Sequence, residues 1–212
     1  MDALVLSSVD SGDSRVVQLL TSGDRRVPCI ARRARRKAGR VSSHLNPLTL
    51  IDVTLSERPN RDLATIHDAR TRQPFPMIRG DLRRWALATT MAEVILHLIP
   101  QHAGESGVFA LLQKAWAHLN NTRHEASEDL LFLFELRILS FTGVLPPPDE
   151  LVELPEGARE TLVKWLSGQW VPLASDVRLP VQRLLEGLIE EASGRPLRSR
   201  AFLDETLADA TL

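Results

Sequence analysis

A dense group of basic residues lies near the start of the chain, and it is the pattern most suggestive of chemistry. Residues 25–40, called here the basic segment, contain eight positive charges and no acidic residue. They are Arg25, Arg26, Arg32, Arg33, Arg35, Arg36, Lys37 and Arg40. Charges packed this closely repel one another, which favours an anionic partner. Arginine suits phosphate because its planar guanidinium donates two parallel hydrogen bonds. The pattern predicts a nucleic-acid-binding segment.

The charge of the whole chain conceals two unlike halves. The formal net charge of the 212 residues is −1, but residues 1–80 carry +6 and residues 81–212 carry −7. Such a division indicates one end that binds a polyanion and another that is solvated or binds protein. An alternative stays open, in which the basic segment is a solvated loop or pairs with the acidic half of the chain.

Aromatic residues bear on the kind of nucleic acid that is bound. Single strands are usually held by bases stacked on aromatic side chains. The first aromatic residue of this chain is Phe75, and there is no tyrosine. Binding by the basic segment is therefore predicted to be electrostatic and directed at the phosphate backbone, with little reading of base sequence.

A second basic cluster lies near the end of the chain, at Arg195, Arg198 and Arg200. It is a candidate for phosphate contacts or for binding an acidic peptide. The competing interpretation is electrostatic complementarity with the C-terminal end of a helix, where cations are favoured.

Other chemistry finds little support in the residue pattern. The six histidines lack the spacing of a zinc site, and the single cysteine, Cys29, is predicted to be a buried small apolar residue. Phosphate-binding glycine loops and nucleophile motifs are missing from the sequence. We expect no metal, no cofactor and no enzymatic activity. With no apparent signal peptide and no apolar run of membrane length, we expect a cytoplasmic, nucleoid-associated protein without membrane contact.

The elements that must position these residues change in type near residue 75. Short apolar and β-branched runs at residues 3–6, 15–21, 25–31, 48–57 and 62–68 predict five strands. Pro28 predicts an edge or a bulge in the third strand. In the fourth, Leu48, Leu50, Val53 and Leu55 are expected on one face, with a bulge at Ile51 and Asp52. Five such strands favour an OB-type barrel.

The rest of the chain has a helical period. Helices are predicted at residues 81–99, 106–119, 125–142, 156–168 and 177–193, with an extended proline linker at 146–148 and a frayed tail at 203–212. The third helix is apolar on most of its circumference and should be central. The predicted fold class is α+β: an OB-fold DNA-binding domain (residues 1–75) followed by an α-helical bundle domain (residues 76–212).

The order of these features resembles the RecO family of bacterial DNA repair proteins. Residues 75–82 carry the family's Phe-Pro, Ile-Arg and Asp-Leu pairs, and Phe134-Glu135-Leu136-Arg137 resembles another of its motifs. Further similar stretches lie at residues 3–8, 12–21, 30–36, 45–50 and 194–200. Two departures are plain. Arg33 stands where glycine is usual, and residues 144–150 lack the four-cysteine zinc knuckle of many members.

The resemblance implies binding of single- and double-stranded DNA and annealing of complementary strands in recombinational repair. It also implies partnership with RecR and with single-stranded DNA-binding protein, so that RecA is loaded. The C-terminal tail of the latter protein is acidic in the family, so Arg137, Arg195, Arg198 and Arg200 are candidate contacts. Two rivals stay open: a protein–protein adaptor with a basic OB domain and no direct DNA role, and a nuclease with metal-binding carboxylates.

Overall fold

The computed structural model describes residues 1–32, 41–59 and 61–209. The five predicted strands are all present, as β1 (Asp2–Ser11), β2 (Ser14–Thr21), β3 (Arg26–Arg32), β4 (Thr49–Ser56) and β5 (Ala64–Gln73). They close into a barrel in the order β1-β2-β3-β5-β4. All neighbouring strands are antiparallel except β3 and β5, which pair in parallel at Cys29–Ala64 and Ile30–Thr65. The predicted OB-like barrel is therefore confirmed.

Seven α-helices follow in the described part of the chain. They are α1 (Pro76–Arg79), α2 (Leu82–Leu98), α3 (Val108–Leu119), α4 (Glu128–Phe141), α5 (Glu156–Leu166), α6 (Arg178–Ser193) and α7 (Arg198–Asp209). A 3₁₀ turn at Ser175–Val177 leads into α6. The α4 helix is central as predicted, since it contacts α2, α3, α5 and α6. Within the described ranges, no helix combines the length and the apolar character that crossing a bilayer requires.

The first strand explains how barrel and helices are joined. Residues 3–6 form a continuous apolar run, which is typical of a strand buried on both faces. Ala3 and Val5 point into the barrel, whereas Leu4 and Leu6 pack with the apolar side chains of the helices. The barrel exterior and the helical bundle thus share one core, and this shared core fixes their relative position.

Two details of the strands differ from prediction. Leu48 and Leu50 pack on the helices, whereas Val53 and Leu55 pack inside the barrel, so the four residues do not share a face. The strand alternates normally through Leu50 and Ile51, although its register with β5 shifts there. The edge or bulge predicted at Pro28 is not found: β3 lies between β2 and β5, and its register with β2 is unbroken where Pro28 faces Gln18. β3 pairs with β5 only beyond Pro28, so the missing N–H interrupts neither ladder.

The predicted fraying of residues 203–212 is wrong for the described residues. The α7 helix continues to Asp209 and packs along α2. Leu203 is fully buried, and Thr206 is 8% exposed. The low apolar content of the tail concealed a few core contacts that are sufficient to hold the helix. Helices shorter than about 15 residues depend on such packing for most of their stability.

A polar joint holds the β2–β3 turn against the start of α3. The Asp24 carboxylate accepts hydrogen bonds from the backbone N–H groups of Gly107 (3.0 Å) and Phe109 (2.8 Å). A carboxylate at this position satisfies otherwise unpaired donors of the helix N-terminus and complements its dipole. Beside it, Arg25 forms an isolated β-bridge with Gly104. The turn that begins the basic segment is therefore fixed by the helical region.

Candidate nucleic-acid interface

The two ends of β3 carry the described residues of the basic segment. Arg32 is exposed at the end of the strand, paired with Ser14 of β2. Arg25 immediately precedes the other end. They are seven residue steps apart, which at ~3.3 Å per residue is about 23 Å. Arg33, Arg35, Arg36, Lys37 and Arg40 lie outside the described residues, so their part of the prediction stays a prediction.

The residues that follow the basic segment are held at the same end of the barrel as Arg32. The Arg15 guanidinium donates to the carbonyl oxygen of Ser42 at 2.9 Å and also pairs with Asp10 at 2.9 Å. His44 Nδ1 lies 2.9 Å from the Thr71 hydroxyl of β5. Both described flanks, Arg32 and Ser42, are therefore attached beside the start of β2.

A second group of arginines lies at the opposite end of β3. Arg25 makes a two-point contact with the Glu57 carboxylate, at 3.2 and 3.1 Å. Arg58 and Arg61, in the β4–β5 loop, are exposed, and their side chains have no partner among the described residues. These two arginines were not among the candidates singled out from the sequence. Their only signal was their position in the loop between β4 and β5, a loop that often contacts oligonucleotides in OB folds.

Arg26 lies in the same segment but serves another purpose. Its side chain is buried against the helical region and donates to the carbonyl oxygen of Leu96 at the end of α2. Burial, and then the nearby charge of Arg195, lower the pKa of Arg26 from its ordinary value. A guanidinium engaged in this way joins the barrel to the helices and is not available to a phosphate.

The C-terminal cluster is likewise divided between surface and interior. Arg195 and Arg198 are exposed. Arg200 is buried, with its Nη2 on the Glu135 carboxylate at 2.5 Å and its Nε on Glu186 at 2.8 Å. The third member of the predicted contact set therefore ties α7 to α4 and α6, and it does not face a ligand.

Arg137 lies in an apolar groove of the helical region with a volume of about 450 Å³. Its guanidinium donates to the carbonyl oxygen of Trp165, which fixes it at the wall of the groove. Lys114 adds a second cation. The apolar part of the lining includes Leu111, Leu133, Phe141, Trp165 and Trp170. The arrangement combines apolar walls with two positive charges.

Neither a reactive thiol nor a metal cluster is found in the described part of the chain. Cys29 is buried in the barrel as predicted, and burial raises the pKa of its thiol to about 12, so it is not a ready nucleophile. In residues 1–32, 41–59 and 61–209, no three His, Cys, Asp or Glu side chains are grouped as a metal site requires.

Comparison with known proteins agrees with this architecture. Residues 1–75 match the family model described as Recombination protein O N terminal, and residues 79–152 match Recombination protein O C terminal. The DNA repair protein RecO of Anaeromyxobacter dehalogenans (strain 2CP-C) is 30% identical over 95% of this chain and 84% of its own length. The one from Syntrophotalea carbinolica is 32% identical over 68% of this chain and 56% of its own length.

A third relative shows where lengths differ. The DNA repair protein RecO of Anaeromyxobacter sp. (strain Fw109-5) is 30% identical, covering 97% of this chain and 95% of its own length. That alignment extends over 249 positions, more than the 212 residues of this chain, so the relative has segments that this chain lacks. The matches cover both the barrel and the helices, and the chain belongs to the RecO family of DNA repair proteins.

Proposed function

We propose that this protein binds DNA along the β3 side of its barrel and anneals complementary strands during recombinational repair. The observation that carries the proposal is the placement of exposed arginines at both ends of β3, with Arg32 at one end and Arg25, Arg58 and Arg61 at the other. One strand of B-DNA carries a phosphate every ~3.4 Å, so about 23 Å corresponds to about seven phosphates.

The proposed mechanism is electrostatic and requires no covalent step. Two single strands repel each other through their phosphates, and bound arginines reduce that repulsion when the strands are brought together. Annealing of this kind consumes no nucleotide and needs no catalytic residue, so we infer a non-enzymatic role. A nuclease or ATPase assay with Mg²⁺ that shows turnover would refute that inference.

Charge reversal of the basic segment tests the proposal. In Arg32/Arg33/Arg35/Arg36→Glu, annealing of complementary oligonucleotides should fall to the spontaneous rate, and single-strand binding should weaken strongly. Loss of four phosphate contacts should reduce the log–log salt slope by roughly 3, because each contact contributes about 0.7. Fluorescence anisotropy over a salt series measures the slope, and a strand-annealing assay measures the rate.

Two double variants with the same change in net charge test whether the position of the arginines matters. Arg35/Arg36→Glu and Arg123/Arg183→Glu change the charge equally, but Arg123 and Arg183 are exposed arginines of the helical region. We expect only the first variant to lose annealing. Equal loss in both would contradict the assignment to the barrel, and absence of wild-type DNA binding at low salt would favour the adaptor alternative.

We further propose that the groove beside Arg137 receives the acidic C-terminal tail of single-stranded DNA-binding protein. Its apolar walls suit an apolar terminal residue, while Lys114 and Arg137 suit carboxylates. The family resemblance extends the proposal to RecR and, through it, to RecA loading, without assigning a surface to either.

The groove is tested with a short fluorescent peptide of aspartates that ends in phenylalanine. Lys114→Ala and Arg137→Ala should each weaken binding about tenfold, because a hydrogen bond to a charged group contributes about 1.5 kcal/mol or more. Arg183→Ala, at an exposed position outside this groove, should bind normally. Lys114 is exposed, and its side chain has no hydrogen bond or ion pair with the described residues, so unchanged binding in Lys114→Ala would count against the site.

A further inference from the structure

An exposed tryptophan lies beside the barrel, although the barrel itself contributes no aromatic residue. Trp85 of α2 is 40% exposed, and its ring packs edge-to-face on Phe202 of α7, with centroids 5.5 Å apart and planes at 87°. Its Nε1–H donates to no atom among the described residues. The ring is therefore held in place by a neighbour while part of its surface and its donor remain available.

Trp85 lies at the middle of a groove formed where the barrel meets the helices. Two adjoining hollows, of about 520 and 460 Å³, share Leu6, Ser7, Trp85 and Thr89. One extends to Arg79 and the other to Arg198. The aromatic ring is thus flanked by an arginine on each side along the groove.

Both arginines have donors to offer. The side chain of Arg198 has no partner among the described residues, since its bond to Glu93, at 3.1 Å, comes from the backbone N–H. Arg79 uses Nε and Nη2 to bond the carbonyl oxygens of Pro74 and Pro47 and the Thr49 hydroxyl. Its Nη1 has no partner in the described part of the chain.

The acidic residue in the groove is already compensated. The Glu93 carboxylate accepts hydrogen bonds from the backbone N–H groups of Arg198 and Ser199, at 3.1 and 2.8 Å, and from the Ser199 hydroxyl at 2.5 Å. These donors belong to the first turn of α7, whose dipole also favours the negative charge. Glu93 therefore opposes an incoming anion only weakly.

The β1 strand links the groove to the proposed DNA surface. β1 leaves it at Leu6 and Ser7 and continues to Ser11, which pairs with Ser14, and Ser14 pairs in turn with Arg32. Five residues along β1 and two strand spacings across the sheet place Arg32 about 20 Å from the groove. A single strand held at Arg32 is long enough to enter the groove within several nucleotides.

We propose that Trp85 is a stacking platform for an unpaired base of single-stranded DNA, with Arg198 and Arg79 contacting the flanking phosphates. An aromatic face within a positively charged groove is the usual basis of sequence-tolerant single-strand binding. A paired base is not available for such stacking, so the site favours single-stranded over double-stranded DNA. The inference rests on the proposed DNA-binding function and adds strand preference to it.

Tryptophan fluorescence gives a direct test. In a Trp170→Phe background, Trp85 is the remaining exposed tryptophan, because Trp116 and Trp165 are buried. Titration with an oligothymidylate of about thirty nucleotides, longer than a typical OB-fold site, should quench this fluorescence to saturation. Duplex DNA of the same length should quench it much less. Saturated oligothymidylate binding without quenching would overturn the inference.

Affinity measurements provide the second readout. Trp85→Ala should weaken oligothymidylate binding between about five- and a hundredfold, and Trp85→Phe should restore most of it, because either aromatic ring can stack. Leu179→Ala, a truncation of an exposed apolar residue of α6 that lines neither groove, should leave binding unchanged. Thermal melts confirm that each variant is folded, and duplex binding within twofold of wild type is expected for all three.

The outcomes separate the two proposals. If Trp85→Ala binds oligothymidylate normally while Arg35/Arg36→Glu does not, the stacking site is refuted and the DNA-binding barrel stands. If wild type binds no DNA at low salt, the proposed function fails first. If Trp85→Ala loses only the aspartate–phenylalanine peptide, the groove is a peptide site and the inference is wrong.

Discussion

Replacing Arg200 with methionine is expected to lower the free energy of unfolding by about 3–5 kcal/mol, the usual cost of removing one partner of a buried ion pair. The Arg200 side chain is 7% exposed and the Glu135 side chain is 0% exposed. Without Arg200, Glu135 is left as an uncompensated carboxylate in the core of the bundle. Urea denaturation at pH 8, followed by circular dichroism, measures the difference.

A double variant tests whether the lost stability comes from the unpaired charge of Glu135. Arg200→Met/Glu135→Leu removes both charged groups, and replacement of a buried pair by apolar residues is often neutral or stabilising. We expect it to recover most of the stability lost in the single variant. A single variant within about 1 kcal/mol of wild type, well below the cost usual for a broken buried pair, would contradict this account.

The same pair predicts a pH dependence. Burial raises the pKa of Glu135 from 4.5 to about 7, against the opposing effect of Arg200. Between these values the folded state retains a proton that the unfolded state has lost. The contribution of Glu135 to stability is therefore fully present below pH 4.5 and is lost as the pH rises through about 7. Glu135→Gln should remove this component of the pH profile.

Gly104→Ala should destabilise the protein by about 3 kcal/mol, at the upper end of the usual cost of overpacking. A Cβ atom at residue 104 would lie 1.7 Å from the carbonyl oxygen and 2.5 Å from the carbonyl carbon of Asp24. Both obstacles are backbone atoms, so no side-chain rotation relieves the clash. The Asp24 cap on α3 must shift with them. For a chain of this size the expected fall in Tm is about 6–12 °C.

Gly187→Ala is the matched control for this substitution. Gly187 lies in the interior of α6, and a Cβ there would meet nothing within 4 Å. Alanine in a helix is favoured over glycine by about 0.5–1 kcal/mol, so the control should be slightly stabilised. Scanning calorimetry measures the Tm of both variants. Equal effects would show that the close approach at Gly104 does not constrain the joint.

Periodicity predicted the strands, most of the helices and the central position of α4, because each depends on a local pattern of apolar residues. The exposure of Arg25 and the burial of Arg26 depend instead on how the helices dock on the barrel. Adjacent residues of an extended chain point to opposite sides, and the docking of the helices determines which side is covered. Arg26 is consequently buried against Leu96, whereas Arg25 is left at the surface beside Glu57.

Trp85 is a second residue whose burial could not be predicted from local periodicity. Its spacing fits the apolar period of α2, and that spacing alone predicts a core residue. It is exposed because α2 turns this side toward a groove, lined by Leu6 and Phe202, that no described element fills. The sequence predicted contact with the phosphate backbone alone because the strands carry no aromatic residue. The fold brings an aromatic residue of the helical region to the edge of the barrel.

The shortest ladder of the barrel has a thermodynamic consequence. Among the described residues, β3 and β5 are joined by two residue pairs, whereas β1 and β2 are joined by eight. Local opening should therefore require the least free energy along the pairing of β3 with β5, called here the seam. A phosphate backbone that contacts Arg32 on one strand and Arg61 beside the other would bridge the seam and oppose its opening. Ligand binding and folding would then be linked, and DNA at a hundred times its Kd would add about 2.7 kcal/mol to the stability of the protein.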